Sequence, residues 1–234
     1  MNGRAERPRI PWLLMAGCIF SCAVFFYVAR ILQWEYTAKS WVKMSLFIGF
    51  PMAYWLADGR LRWQDILRRI FPVRPPWRRL IILAGAGLAI IILLNLLVEP
   101  ICAFFKISSV MDEIKTRTHT NQEQMLKAMI YIPLVNALGE ELFFRGFCFL
   151  ELKDRGFPVL AYFFSGILFA LYHLAIFQNW FSPFLLVLCL SALAGAGMIL
   201  DRFVGRDRNI LGVWLLHGLV NVAILSLSWR FIAS

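Results

Sequence analysis

Charge is scarce in this chain, and acid is scarcer than base. Only 16% of the 234 residues are Asp, Glu, Lys or Arg, where a soluble globular domain carries roughly 25%. A soluble fold is therefore excluded if the apolar runs are long enough to span a bilayer. Histidine occurs three times and cysteine five times. Cys18, Cys22, Cys102, Cys148 and Cys189 lie in or beside apolar runs with no CxxC pair. That pattern excludes a disulfide framework or zinc ribbon and leaves small buried side chains. There is no HExxH, no N-x-S/T sequon, no internal repeat and no low-complexity tract.

What is present is oil. Hydrophobic residues make up 60% of the chain, and a bilayer span needs about 20 of them in succession. Seven runs approach that: Pro11–Leu32, Trp41–Ala57, Leu80–Val98, Leu126–Leu150, Phe157–Phe177, Phe181–Leu200 and Ile210–Ser228. The second is the weakest, being short and holding Lys43 and Pro51. Ile101–Ile107 is a partial or re-entrant piece that would make eight. The first run is too long for a signal peptide and has no clear small-residue cleavage site after it, so it reads as an anchor. The expected fold is an all-α polytopic membrane protein with about seven transmembrane helices. It forms one membrane domain over 1–234, divided into N-terminal spans with a basic segment (1–79) and a helical core (80–234).

A net charge of +10 would suggest nucleic acid in a soluble protein. Here the arginines sit in alternate loops: Arg4, Arg7 and Arg9; Arg60, Arg62, Arg68, Arg69, Arg74, Arg78 and Arg79; then Arg202, Arg206 and Arg208. Basic loops mark the cytoplasmic side. The expected topology has a cytoplasmic N-terminus, and the expected partner of these charges is the lipid bilayer, with no nucleic acid. Gln64–Ile70 reads as a short interfacial helix, and Ser108–Glu123 as a polar loop on the other side. Gly85/Gly87 and Ala192/Gly195/Gly197 offer small faces for close helix packing.

Ionisable residues inside spans are costly and usually face an interior. The fourth run holds Asn136, Glu140, Glu141 and Arg145, the fifth His173, and the seventh His217 and Asn221. His119 falls in the polar loop. Glu141 and Arg145 are four apart and pair on one helix face. Glu140 points about 100° away with Asn136 and Phe144, so it is the freer carboxylate and the one suited to act as a general base. Phe169 and His173 share a face, as do His217 and Asn221. A purely structural polar cluster is the bland alternative, and a proton relay uses the same residue types. Two glutamates, an arginine, two histidines and an asparagine on three helices favour chemistry.

Three motifs carry a resemblance. GEELFFRG holds EExxxR as Glu140, Glu141 and Arg145; FALYH holds FxxxH as Phe169 and His173; HGLVN holds HxxxN as His217 and Asn221. In this order and each in an apolar run, they resemble the CPBP family of CAAX proteases and bacteriocin-processing enzymes, also called Abi. The resemblance implies a glutamic intramembrane endopeptidase without a metal or other cofactor. It makes Glu140 the general base with help from His173, His217 and Asn221 the oxyanion donors, and Glu141, Arg145 and Phe169 supporting residues around an intramembrane cavity. The implied partner is a membrane-associated protein or peptide precursor.

The chain is short and carries no eukaryotic extension, which favours a prokaryotic plasma membrane and leaves the substrate open. Competing readings are a zinc site on His173, His217 and Glu140, a membrane immunity or partner-binding protein of the same fold, and a proton-coupled transporter. The last usually shows inverted repeats, which the sequence lacks.

Overall fold

A computed structural model describes residues 11–59, 61–105, 122–177 and 182–232. All regular structure among them is helical. A chain in hydrocarbon must satisfy its own backbone groups, and a helix does so within one segment. Helix α1 spans Trp12–Arg30. An unbroken helical stretch follows over 36–58: α2 Tyr36–Met44, a π-helical segment π1 Ser45–Gly49, and α3 Phe50–Asp58. The short α4 covers Trp63–Ile70 and the long α5 Trp77–Phe105. A second composite occupies 122–154: α6 Gln122–Tyr131, π2 Ile132–Asn136, α7 Ala137–Glu141, π3 Leu142–Phe149 and α8 Leu150–Asp154. Helices α9 Pro158–Phe177, α10 Pro183–Asp207 and α11 Leu211–Ile232 complete the order.

Four helical segments are long and apolar enough to cross a membrane: Trp12–Arg30, Trp77–Pro100, Pro158–Phe177 and Pro183–Asp207. Leu211–Leu227 is apolar but shorter. The chain is a multi-pass membrane protein. The expected runs Trp41–Ala57 and Leu126–Leu150 fall on the two composites, whose π segments divide them into short α-helical pieces. Ile101–Ile107 is not a separate re-entrant piece up to Phe105, because α5 continues through Pro100. His119 and most of the polar loop lie outside the described residues, as do Arg4, Arg7, Arg9 and Arg60. The expected interfacial helix is present as α4.

Two of the π segments sit at prolines. Pro51 follows π1 by two residues, and Pro133 is the second residue of π2. A proline has no N–H for the carbonyl one turn back, and its ring crowds that carbonyl. A widened turn gives the ring room. π3 contains no proline and has no such explanation.

The second composite is the centre of the molecule, with every residue from Gly139 to Leu152 buried. Apart from Glu140, Glu141, Arg145 and Glu151 the segment is apolar on all sides, and such a helix belongs in a core. Phe47 of π1 stacks on Phe143 at 4.3 Å between ring centroids, and Trp55 meets Phe147 edge-on at 5.5 Å. Helix α1 turns Leu14, Cys18, Ser21, Cys22, Phe25 and Val28 inward. Cys18 Sγ lies 2.9 Å from Cys148 Sγ, and both are free thiols. Helices α9 and α10 meet at small residues, for a Cβ on Gly197 would sit 3.1 Å from Gly166 Cα. Of the other expected small positions, Gly87 is met by Leu219, while Gly85 and Gly195 face open space.

One end of the bundle is tied by ions. Arg69 of α4 reads in sequence as a loop charge, yet it is only 5% exposed. It donates to the Gly146 carbonyl at 2.8 Å, to Glu151 at 2.9 Å and to Asp154 at 3.2 Å. Burial pulls its guanidinium below the usual pKa, and Glu151 and Asp154 oppose that pull. Trp55 Nε1 also donates to Glu151 at 2.9 Å, and Arg208 pairs with Asp154.

Candidate active site

The three motifs converge. Glu140 and Glu141 lie on α7, Arg145 in π3, Phe169 and His173 on α9, and His217 and Asn221 on α11. The Phe169 ring is the hub between them. Its centroid is 4.5 Å from that of His173 and 6.2 Å from that of His217, and the Arg145 guanidinium carbon lies 3.9 Å from it. That last contact is a cation–π arrangement, worth more when desolvated.

Glu141 pairs with Arg145 as the four-residue spacing predicts, at 3.2 Å, and both are 0% exposed. The same Oε1 meets His217 Nδ1 at 2.7 Å. Arg145 has a second carboxylate nearby. Asp201 of α10 lies 3.8 Å from its Nε, and Ser165 donates to Asp201 at 3.1 Å and to the Phe144 carbonyl at 3.0 Å through alternative directions of one hydroxyl. A buried charge needs a partner, and here one arginine serves two acids.

Glu140 differs from its expectation. It is not the freer carboxylate. Its Oε1 accepts from Asn136 Nδ2 at 3.0 Å, from the Tyr172 hydroxyl at 3.0 Å and from Lys43 Nζ. Its face is shared with Asn136, as the helical spacing requires. The correction comes from α2, a segment 97 residues earlier in the chain. Glu140 Oε2, by contrast, accepts no hydrogen bond among the described residues. His217 Nε2 lies 3.6 Å from it. The two oxygens of one carboxylate thus have unlike surroundings.

The imidazoles are held by opposite ends. His173 gives Nδ1–H to the Phe169 carbonyl at 2.8 Å, which leaves its Nε2 lone pair directed away from its own helix. His217 gives Nδ1–H to Glu141 and turns Nε2 to Glu140. His217 thereby bridges the two glutamates. Asn221 is one turn further along α11 and donates to the Ile132 carbonyl of π2 at 3.4 Å, a long bond. Glu140 is 3% exposed, while the His217 side chain keeps 11% and Asn221 is half-buried. The cluster meets the molecular surface on the α11 side.

Sequence reasoning missed Lys43, Tyr172 and Asp201. Tyr172 stood inside FALYH, beside a residue that was noted. Lys43 counted only as a flaw in an apolar run. Asp201 lay one residue past the end assigned to the sixth run. Among the described residues no group of three His, Cys, Asp or Glu side chains is arranged to hold a metal ion.

Residues 122–223 match the family model of type II CAAX prenyl endopeptidase, Rce1-like. The match runs from α6 into α11 and includes all three motifs. These residues are an Rce1-like domain of the CAAX protease family. No curated protein and no solved structure matches the chain. The general function that goes with the Rce1-like domain is that of a CAAX-type intramembrane protease, with a peptide as substrate. Helices α1 to α5 lie outside the matched segment, so Lys43 reaches the Rce1-like domain from beyond its boundary.

Proposed function

We propose that the chain is a glutamic intramembrane endopeptidase in which Glu140 activates the attacking water. The observation that carries this reading is the setting of the Glu140 carboxylate. Oε1 is held by three donors, and Oε2, 3.6 Å from His217 Nε2, accepts no hydrogen bond among the described residues. A general base must be fixed in direction and keep one oxygen for the proton it takes.

In this reading a water lies between Glu140 Oε2 and the lone pair of His173 Nε2. Its oxygen attacks the scissile carbonyl carbon, and its proton passes to Glu140. The carbonyl π pair moves onto oxygen, which becomes an oxyanion. His217 donates Nε2–H to that oxyanion. Nδ1 of the same ring is held by Glu141, which fixes the direction of Nε2. The Asn221 amide is the second donor. Collapse of the tetrahedral intermediate breaks the C–N bond, and the proton held by Glu140 goes to the leaving nitrogen. Preorganised donors of this kind each contribute about 10²–10³ in rate.

The substrate in this proposal is an apolar, membrane-anchored peptide segment, prenylated or not, that approaches on the His217 and Asn221 side. The setting is a prokaryotic plasma membrane with a cytoplasmic N-terminus, supported by the basic segments on alternate loops. The test compares purified wild type and Glu140→Gln on a panel of membrane-anchored peptides, with and without a chelator. Cleavage by wild type alone, unchanged on chelation, is the expected result. Cleavage lost on chelation and restored by zinc overturns the glutamic mechanism. A cellular phenotype that survives Glu140→Gln, with no cleavage by either protein, points to a binding role instead.

A further inference from the structure

Lys43 is the least expected feature of the site. It belongs to α2, outside the matched segment, and is only 5% exposed. Its ammonium bonds to Asn136 Oδ1 at 2.5 Å and to Glu140 Oε1. Three aromatic rings surround it, with centroids of Phe25, Phe47 and Tyr172 at 5.5, 5.7 and 4.9 Å. Such a cage excludes water and strengthens the attraction between a cation and its carboxylate. A lysine buried in an apolar span is expensive to place, and its ion pair among the described residues is with the residue read above as the base.

The backbone is shaped to let this contact form. Gly139 precedes Glu140, and a Cβ there would sit 2.9 Å from Cε and 3.3 Å from Sδ of Met44. Met44 is the neighbour of Lys43. A side chain at 139 would meet only the flexible end of Met44, so the small residue leaves room for that thioether beside the Lys43–Glu140 contact. Lys43 and Asn136 also bond to each other, and with Tyr172 of α9 they grip Glu140 Oε1 from three elements at once.

We propose that Lys43 is a positioning residue for the hydrolysis. It neutralises Glu140, fixes Oε1, and so directs Oε2 towards His217 and the attacking water. The inference rests on the reading of Glu140 as the base, and it adds a required group from the N-terminal helices. Lys43 touches neither substrate nor water in this arrangement. It acts through Glu140.

The test uses the full-length protein in detergent with a cleavable membrane-anchored peptide. Lys43→Met keeps the length of the side chain and removes the charge. Its kcat is expected to fall by about 100-fold with KM changed less than about threefold. Lys43→Arg, which keeps the charge, is expected to recover part of kcat. A merely structural lysine would alter neither ratio in this way. Should Lys43→Met fold poorly, melting temperatures decide. Glu140→Gln removes the stranded charge, so the Lys43→Met/Glu140→Gln double variant is expected to melt above Lys43→Met alone. A wild-type kcat in Lys43→Met, or a double variant whose loss is the sum of the single losses, overturns the proposal and leaves Glu140 standing as the base. Undiminished cleavage by Glu140→Gln overturns the reading beneath it.

Discussion

At the scale of single residues, the site is a chain of shared charges. Arg145 serves Glu141 and Asp201, His217 lies between Glu141 and Glu140, and Glu140 is shared with Lys43. Removing one member leaves another without its counter-charge. Arg145→Ala strands two buried carboxylates, and breaking a buried pair costs about 3–5 kcal/mol. The variant is expected to show reduced yield and a lower melting temperature in detergent. Wild-type melting would contradict the pairing. His217→Ala is the complementary case. It removes the proposed oxyanion donor and the ring that bridges the two glutamates, and is expected to lose about 10²–10³ in kcat.

Some of this was legible in the sequence. The spacing of Glu141 and Arg145, and of Asn136 and Glu140, set which residues share a face, and the structure pairs them accordingly. The three motifs identified the helices that meet. The missing pieces were missing for a physical reason. A helical spacing reports neighbours within one segment, and Lys43 is 97 residues from its partner. An isolated lysine in an apolar run looks like a defect until the acid that balances it is placed opposite.

At the scale of elements, the π segments are what sequence periodicity does not show. The apolar runs marked the composites, but not that each departs from α-helical geometry beside the site. Two prolines hint at it, and π3 has no signal of that kind. Packing between elements gives its own expectations. Gly139→Ala would meet only the flexible end of Met44, which can swing aside. The expected outcome is cleavage reduced by less than about tenfold with melting close to wild type, measured as activity against melting temperature. Arg69 ties α4 to π3 through the Gly146 carbonyl and to α8 through Glu151. Arg69→Ala leaves Glu151 with the more exposed Arg155, at 3.5 Å, and the Trp55 indole. It is expected to destabilise the fold by about 3 kcal/mol, read from a detergent melt. Arg62→Ala, an exposed residue at the other end of α4, is expected to leave melting unchanged, since exposed ion pairs contribute about 0–1 kcal/mol.

At the scale of the whole molecule, the membrane sets the terms. The proposed reaction needs a peptide bond delivered at the depth of Glu140. A peptide anchored in the bilayer is expected to be cleaved faster than the same sequence made water-soluble, when both are presented to the protein in liposomes. Equal rates would place the entry of substrate elsewhere. The overall class, a multi-pass helical protein, followed from hydropathy, because an apolar run long enough to span has few other fates. The number of crossings did not follow as directly, since two of the runs are composites.

Lys43 and Arg69 both enter the matched segment from the first third of the chain, one at each of two buried acids. The consequence concerns grafting. Residues 122–223 hold every motif residue, yet cut out alone they would carry Glu140 without its ammonium and Glu151 without its buried guanidinium. A hybrid that joins this segment to foreign N-terminal helices leaves Glu140 without its lysine and Glu151 with only the more exposed Arg155 unless the donor helices bring cations to the same two places. The portable unit is defined by where its charges are cancelled, and that boundary lies some 80 residues upstream of the segment's own first residue.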